Sequence, residues 1–209
     1  MALTTYSELK TAVASWLARA GDASVTDNAA DFIMLAEQRI NRTLRVRGME
    51  DRATATISTE YVALPTRFVE MRNFQLNTDP VTRLELMSPE QIDAIWGGST
   101  TGKPKVYCIL NNEIQVRPIP DVSYTAEMTY WQAFAALSDA ATTNWLITNA
   151  PDVYLWGALA EAAPFLGDLD ALTLWEARFQ AGIKALQDSD DRGKWSGSTM
   201  QIRTDTSNP

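Results

Sequence analysis

With no histidine in the chain, the residues equipped for chemistry are carboxylates, arginines, lysines and one cysteine. Ser-His-Asp and Cys-His relays are therefore excluded, and the commonest transition-metal ligand is missing. Glu161 stands among Ala160, Ala162 and Ala163, where a buried general acid would need a second carboxylate roughly 5–9.5 Å away. No spacing in the sequence supplies that partner, so a salt bridge or an exposed face is the better reading. Asp188, Asp190 and Asp191 suggest a calcium loop, but the EF-hand spacing and its closing glutamate are absent. They read instead as a helix end running into a solvated turn. Gly97, Gly98 and Gly102 before Lys103 resemble a phosphate loop only faintly, because Pro104 follows the lysine and no strand-to-helix context exists. They read as a mobile loop. Cys108 is alone, excludes an internal disulfide, and falls in a predicted strand as a small buried residue. These residues point away from an enzyme, and they call for no cofactor and no metal.

Other patterns suit association better. Arg39, Arg42 and Arg45 recur every three residues, with Arg47 just beyond, and can meet carboxylates of a partner. The plainer alternative is a solvated helix face with local pairs such as Glu37. Of the seven tryptophans, Trp16, Trp156 and Trp175 sit at helical core spacing. Trp96, Trp131, Trp145 and Trp195 are open between core and surface. A row of exposed rings would favour a carbohydrate binder. Trp195 begins a polar stretch in which Met200, Ile202 and Arg203 are sparse anchors. Such a stretch buries too little surface to order itself, but it can order on a partner.

Composition narrows the classes further. The 209 residues suit one domain, or one domain with an insertion, and the 45% hydrophobic content permits a sizeable core. Eighteen basic residues against 26 acidic ones give a net charge of −8. A free-standing DNA binder is usually basic, so a gene regulator is disfavoured. No apolar run is long enough for a bilayer, and the first residues lack a signal-peptide pattern, so a cytosolic site of synthesis is expected.

The elements that must position these residues follow from periodicity. Thr5 and Glu8 form a capping box before Tyr6, Leu9, Val13, Trp16 and Leu17. A second helix begins at Thr26 or Asp27, carries Phe32, Ile33, Ala36, Ile40 and Leu44, and stops at Gly48. From Glu50 the pattern turns to strands: 53–57, 61–64, 68–76, and a hairpin of 106–110 with 114–117 around Asn111, Asn112 and Glu113. Ser88 caps a short helix from Pro89 to Trp96, and 124–131 is a further strand. Helix returns at Pro151, with Pro164 expected to bend or interrupt it. A last helix spans about 168–188. The fold class expected is α+β, a helical bundle formed by N- and C-terminal helices with an inserted antiparallel β region. Residues 1–48 and 137–192 form the bundle, 49–136 the β-rich insertion, and 193–209 an extended C-terminal arm. Trp16, Phe32, Trp156, Trp175 and Phe179 are expected to carry much of the bundle's stability, at roughly 1.5–3 kcal/mol per buried large side chain.

One stretch carries a resemblance. Tyr130-Trp131, Leu137, Asn144-Trp145-Leu146, Pro151 to Leu159, Glu161 to Leu166, Asp168, Trp175 and Phe179 resemble the C-terminal half of bacteriophage head-to-tail adaptor proteins, in the tail tubular protein A-like group. Leu64 to Arg72 and Glu113 to Pro120 resemble the β insertion of that family. The resemblance implies a structural protein that forms a dodecameric ring under the portal, extends the DNA channel and docks the tail. It implies the portal protein and a tail nozzle or tail-tube protein as partners, a homo-oligomer in the virion, assembly in the host cytoplasm, and DNA that passes through the lumen without specific binding. A tight grip on DNA would impede its passage, so DNA is the least favoured partner of the arginines. The rivals are a carbohydrate-binding tail accessory and a tail-associated cell-wall hydrolase.

Overall fold

A computed structural model describes residues 3–195, without the side chain of Trp195. Met200, Ile202 and Arg203 lie outside the described residues. In chain order the elements are α1 (Tyr6–Trp16), α2 (Ala23–Thr26), α3 (Ala29–Thr43), β1 (Glu50–Ile57), β2 (Tyr61–Ala63), β3 (Phe68–Leu76), β4 (Thr82–Arg83), β5 (Glu85–Leu86), α4 (Pro89–Trp96), β6 (Val106–Leu110), β7 (Glu113–Arg117), β8 (Tyr124–Gln132), α5 (Trp145–Asn149), α6 (Pro151–Leu166) and α7 (Leu169–Trp195). The fold is α+β. The chain divides into two compact units, residues 1–48 with 135–209, and residues 49–134.

The first unit is helical. Thr5 and Glu8 close the capping box that starts α1. Asp22 caps the single turn α2 through the backbone N–H of Ser24, and α3 starts only at Ala29, later than the sequence suggests. Asp22 thus acts as a helix start signal between α1 and α3. Leu9, Val13, Phe32, Ile33, Ile40, Tyr154, Leu155, Leu159 and Phe179 are buried and form the bundle's interior. Pro164 does not interrupt α6. It sits in the last turn, where only the carbonyl of Ala160 loses its partner, and the helix runs on to Leu166. Gly167, in the left-handed region at φ 71°, ends it by donating its N–H to Ala163 and Pro164. Asp168 then accepts from the N–H of Ala171 and caps α7.

α7 continues to Trp195, past the expected stop at Asp188. Residues 193–195 are thus helical and not an extended arm. The cause is local: Lys194 pairs with Asp190 and Asp191 at one-turn spacing, at 3.1 and 2.9 Å. The three aspartates therefore lie on a helix and not in a turn.

The second unit holds two four-stranded sheets, in the orders β1-β8-β3-β4 and β2-β7-β6-β5. The pairings are antiparallel except β5 with β6, which is parallel. The hairpin forms, but its turn is one residue shorter than read: Glu113 pairs opposite Leu110, and Asn111 stands at φ 54°. Ile57, Phe74, Leu76, Ile114, Val116 and Met128 meet in its core. Cys108 is buried and donates to Gln115 Oε1. The glycine loop is tied down: Arg117 donates to the carbonyl of Gly98, and the N–H of Gly102 to that of Ile119. Lys103 Nζ donates to Thr78 Oγ1 at 2.8 Å instead of standing free for phosphate.

Candidate functional site

The arginines of α3 do not act as one row. Three residues advance an α-helix by about 300°, so Arg39 and Arg42 point in different directions, and Arg45 lies beyond the extended cap Leu44 that ends α3. Arg39 turns inward. Its Nη1 donates to Glu161 Oε1 on α6 at 2.6 Å, and its Nη2 to both carboxylate oxygens of Glu176 on α7 at 2.7 and 2.8 Å. The guanidinium lies 4.8 Å over the ring of Phe179. Burial works to lower the Arg39 pKa, but the hydrogen bonds to Glu176 and Glu161 outweigh it and hold it above the usual value. Burial likewise opposes ionisation of Glu176, yet Arg39 and Gln180 hold its carboxyl below the usual range. Glu161 is therefore the salt-bridge residue expected from its alanine-rich setting. Arg42 is exposed and donates to the carbonyl and side-chain oxygens of Gln38. Arg45 donates to the carbonyls of Asn41 and Leu44.

Glu37 makes none of the local arginine pairs expected of it. It is buried, and its Oε1 accepts from the N–H of Leu137 at 2.8 Å and from the Tyr154 hydroxyl at 3.1 Å. Asn144 Nδ2 donates to that hydroxyl at 2.6 Å and to the carbonyl of Ala135. Burial raises the Glu37 pKa, and the bonds from Leu137 and Tyr154 pull it partly back. Burial, then the nearby Glu37 carboxylate, pushes Tyr154 far up. This cluster fastens the segment before α5 to α3 and α6.

Beyond the C-terminal end of α3, Arg47 donates from its Nε at 2.9 Å and its backbone N–H at 3.1 Å to Asp190 Oδ1. Gly48 lies against the Trp145 ring, with no room for a Cβ.

The tryptophans at core spacing do cluster, with Trp156 and Trp175 half-buried and Trp16 exposed. Trp156 and Trp175 stack with centroids 5.6 Å apart and planes at 9°. Trp16 meets both edge-on at 5.1 and 6.2 Å, and is 52% exposed. Arg178 covers the Trp156 ring at 5.1 Å. The expectation that Trp16 is a core residue is thus corrected: it ends α1, where helix packing runs out. Beside it opens a groove of about 620 Å³, lined by Trp16, Leu17, Leu166, Leu169 and Trp175, with Arg19, Asp168 and Asp170 also on its wall. Leu169 is 67% exposed. Sequence periodicity identified the tryptophans but not the groove, because exposure at a helix end leaves no mark on spacing. An exposed aromatic concavity of this kind suits protein association.

A family model described as SU10 adaptor protein matches residues 4–203. Comparison with curated proteins gives no match.

Proposed function

The chain belongs to the SU10 adaptor protein family, and from that premise we propose that it is a ring subunit of a tailed bacteriophage's head-to-tail connector. The observation that carries this reading is the extent of the match, which takes in both compact units. In this role twelve copies form a ring under the portal, extend the DNA channel and dock a tail nozzle or tail-tube protein. The mechanism is association without bond making or breaking. The ring is assembled in the host cytoplasm and resides in the virion. Among the described residues no helix is long and apolar enough to cross a membrane.

Arg42 and Arg45, with Trp195, Met200, Ile202 and Arg203, contact the portal or a neighbouring subunit in this reading. Arg39 serves it indirectly, by bracing α3, α6 and α7 through Glu161 and Glu176. The acidic surplus of eight charges suits a channel wall that DNA slides past without specific binding. Electron microscopy of the protein mixed with its cognate portal tests the proposal. Twelve-fold density added beneath the portal is expected. A portal that stays bare at micromolar protein overturns it.

A further inference from the structure

The tryptophan-walled groove has its occupant in the same sequence, though not in the same molecule. We infer that it receives residues 196–203 of a second copy, with Met200 and Ile202 as apolar anchors and Arg203 beside Asp168 and Asp170. This rests on the reading that copies associate in a ring, and it names the surfaces by which they do so.

Reach decides between self and neighbour. The groove lies at the start of α7, where Leu166, Leu169 and Trp175 line it. The helix is unbroken from Leu169 to Trp195. At 1.5 Å per residue its ends stand ~39 Å apart. Met200 and Ile202 follow Trp195 by five and seven residues. Even fully extended, a chain covers about 3.6 Å per residue, so they reach ~18 and ~25 Å from the helix end. Ile202 therefore falls ~14 Å short of Leu169, and still ~5 Å short of Trp175, the groove residue nearest the helix end. The C-terminal anchors of one copy can fill only another copy's groove.

Chemistry fits the same pairing. The groove offers Leu169 and Trp16 as exposed apolar surface, and Asp168 and Asp170 are exposed carboxylates on its wall. The segment Ser196 to Arg203 offers two large apolar side chains and then one cation. The family match extends to residue 203 and so includes all three. Donor and acceptor sit at opposite ends of one rigid helix, so the contact is head-to-tail. Such contacts propagate until they close into a ring.

The test traps the contact in full-length protein. Copies carrying Leu169→Cys are mixed with copies carrying Ile202→Cys, assembled with the portal and oxidised, then read by non-reducing electrophoresis and mass spectrometry. A disulfide linking the two variants is expected, and none when Met34→Cys, also on the surface, replaces Leu169→Cys. Rings seen by microscopy without that disulfide would overturn the arm exchange and leave the ring reading intact. Neither rings nor disulfide would overturn both. Independently, Ile202→Asp should cut ring yield at least tenfold with the circular dichroism unchanged. Wild-type yield from that variant would also overturn the exchange.

Discussion

A Cβ on Gly157 would lie 3.0 Å from a ring carbon of Phe179 and 3.0 Å from the Cβ of Ala36. The glycine thus lies where α3, α6 and α7 pack tightly together. Gly157→Ala gains about 1 kcal/mol of helix propensity and meets an overpacking cost of ~1–3 kcal/mol, so a small net loss is expected. Gly157→Val adds two more carbons to a filled space and no comparable propensity, and it should cost at least ~3 kcal/mol. Urea unfolding measures both. Equal stability of wild type and Gly157→Val would show that the helices have room to part.

Arg39→Met removes the shared partner of Glu161 and Glu176. With all three side chains partly exposed, the loss should be ~1–2 kcal/mol near neutral pH. The Glu176 carboxyl is held below its usual range, so its contribution is present above the unfolded pKa and is lost as pH falls through the folded one. The gap between wild type and variant should therefore narrow on acidification. Unfolding free energies at neutral pH and near pH 3 check this, and a gap that widens in acid would refute the assignment.

Glu37 carries the opposite sign. Its folded pKa is raised, so its titration adds stability that is full below the unfolded pKa and lost as pH rises through the folded one. Glu37→Gln keeps an acceptor for Leu137 and Tyr154 and cannot ionise, so it should gain on wild type as pH rises from about 4 to 7. Glu37→Ala leaves the Leu137 N–H without its acceptor and should cost about 2–3 kcal/mol. A stability difference between wild type and Glu37→Gln that does not vary with pH would exclude ionisation of Glu37 as its source.

Asp190→Ala removes the acceptor of two Arg47 bonds and one partner of Lys194. The last turns of α7 should then exchange amide hydrogens at least several-fold faster, while residues 172–183 are unaffected. Uniform exchange along α7 would mean that Asp190 does not anchor it.

A chain cut after Trp195 keeps α7 through Trp195 and all the other described helices and strands. It should unfold at the wild-type urea midpoint and fail to add density to the portal. Normal rings from this truncation would remove the C-terminal segment from assembly.

Signals that act over a few residues were legible in the sequence. The Thr5–Glu8 capping box, the Ser88 cap, the turn at Asn111 and the strand runs all form where the residues point. Glu37 was not legible. A glutamate in a helix normally reads as exposed, and its partners Leu137 and Tyr154 are 100 and 117 positions away. The arginine spacing misled in part because a three-residue repeat fans around a helix. It put Arg39, whose partners are 122 and 137 positions off, beside the exposed Arg42. The end of α7 was missed because charged residues there pair along the helix and do not mark a stop.

The wide separation between α3 and its partners sets an order of events on the ribosome. When α3 emerges, Glu161 and Glu176 have not been made, and Phe32, Ile33 and Ile40 have no α6 or α7 to cover them. Residues 49–134, whose two sheets pair only among themselves, complete their strand set earlier. Nascent chains should thus mature from the middle outward, with the helical unit closing only after synthesis passes α7.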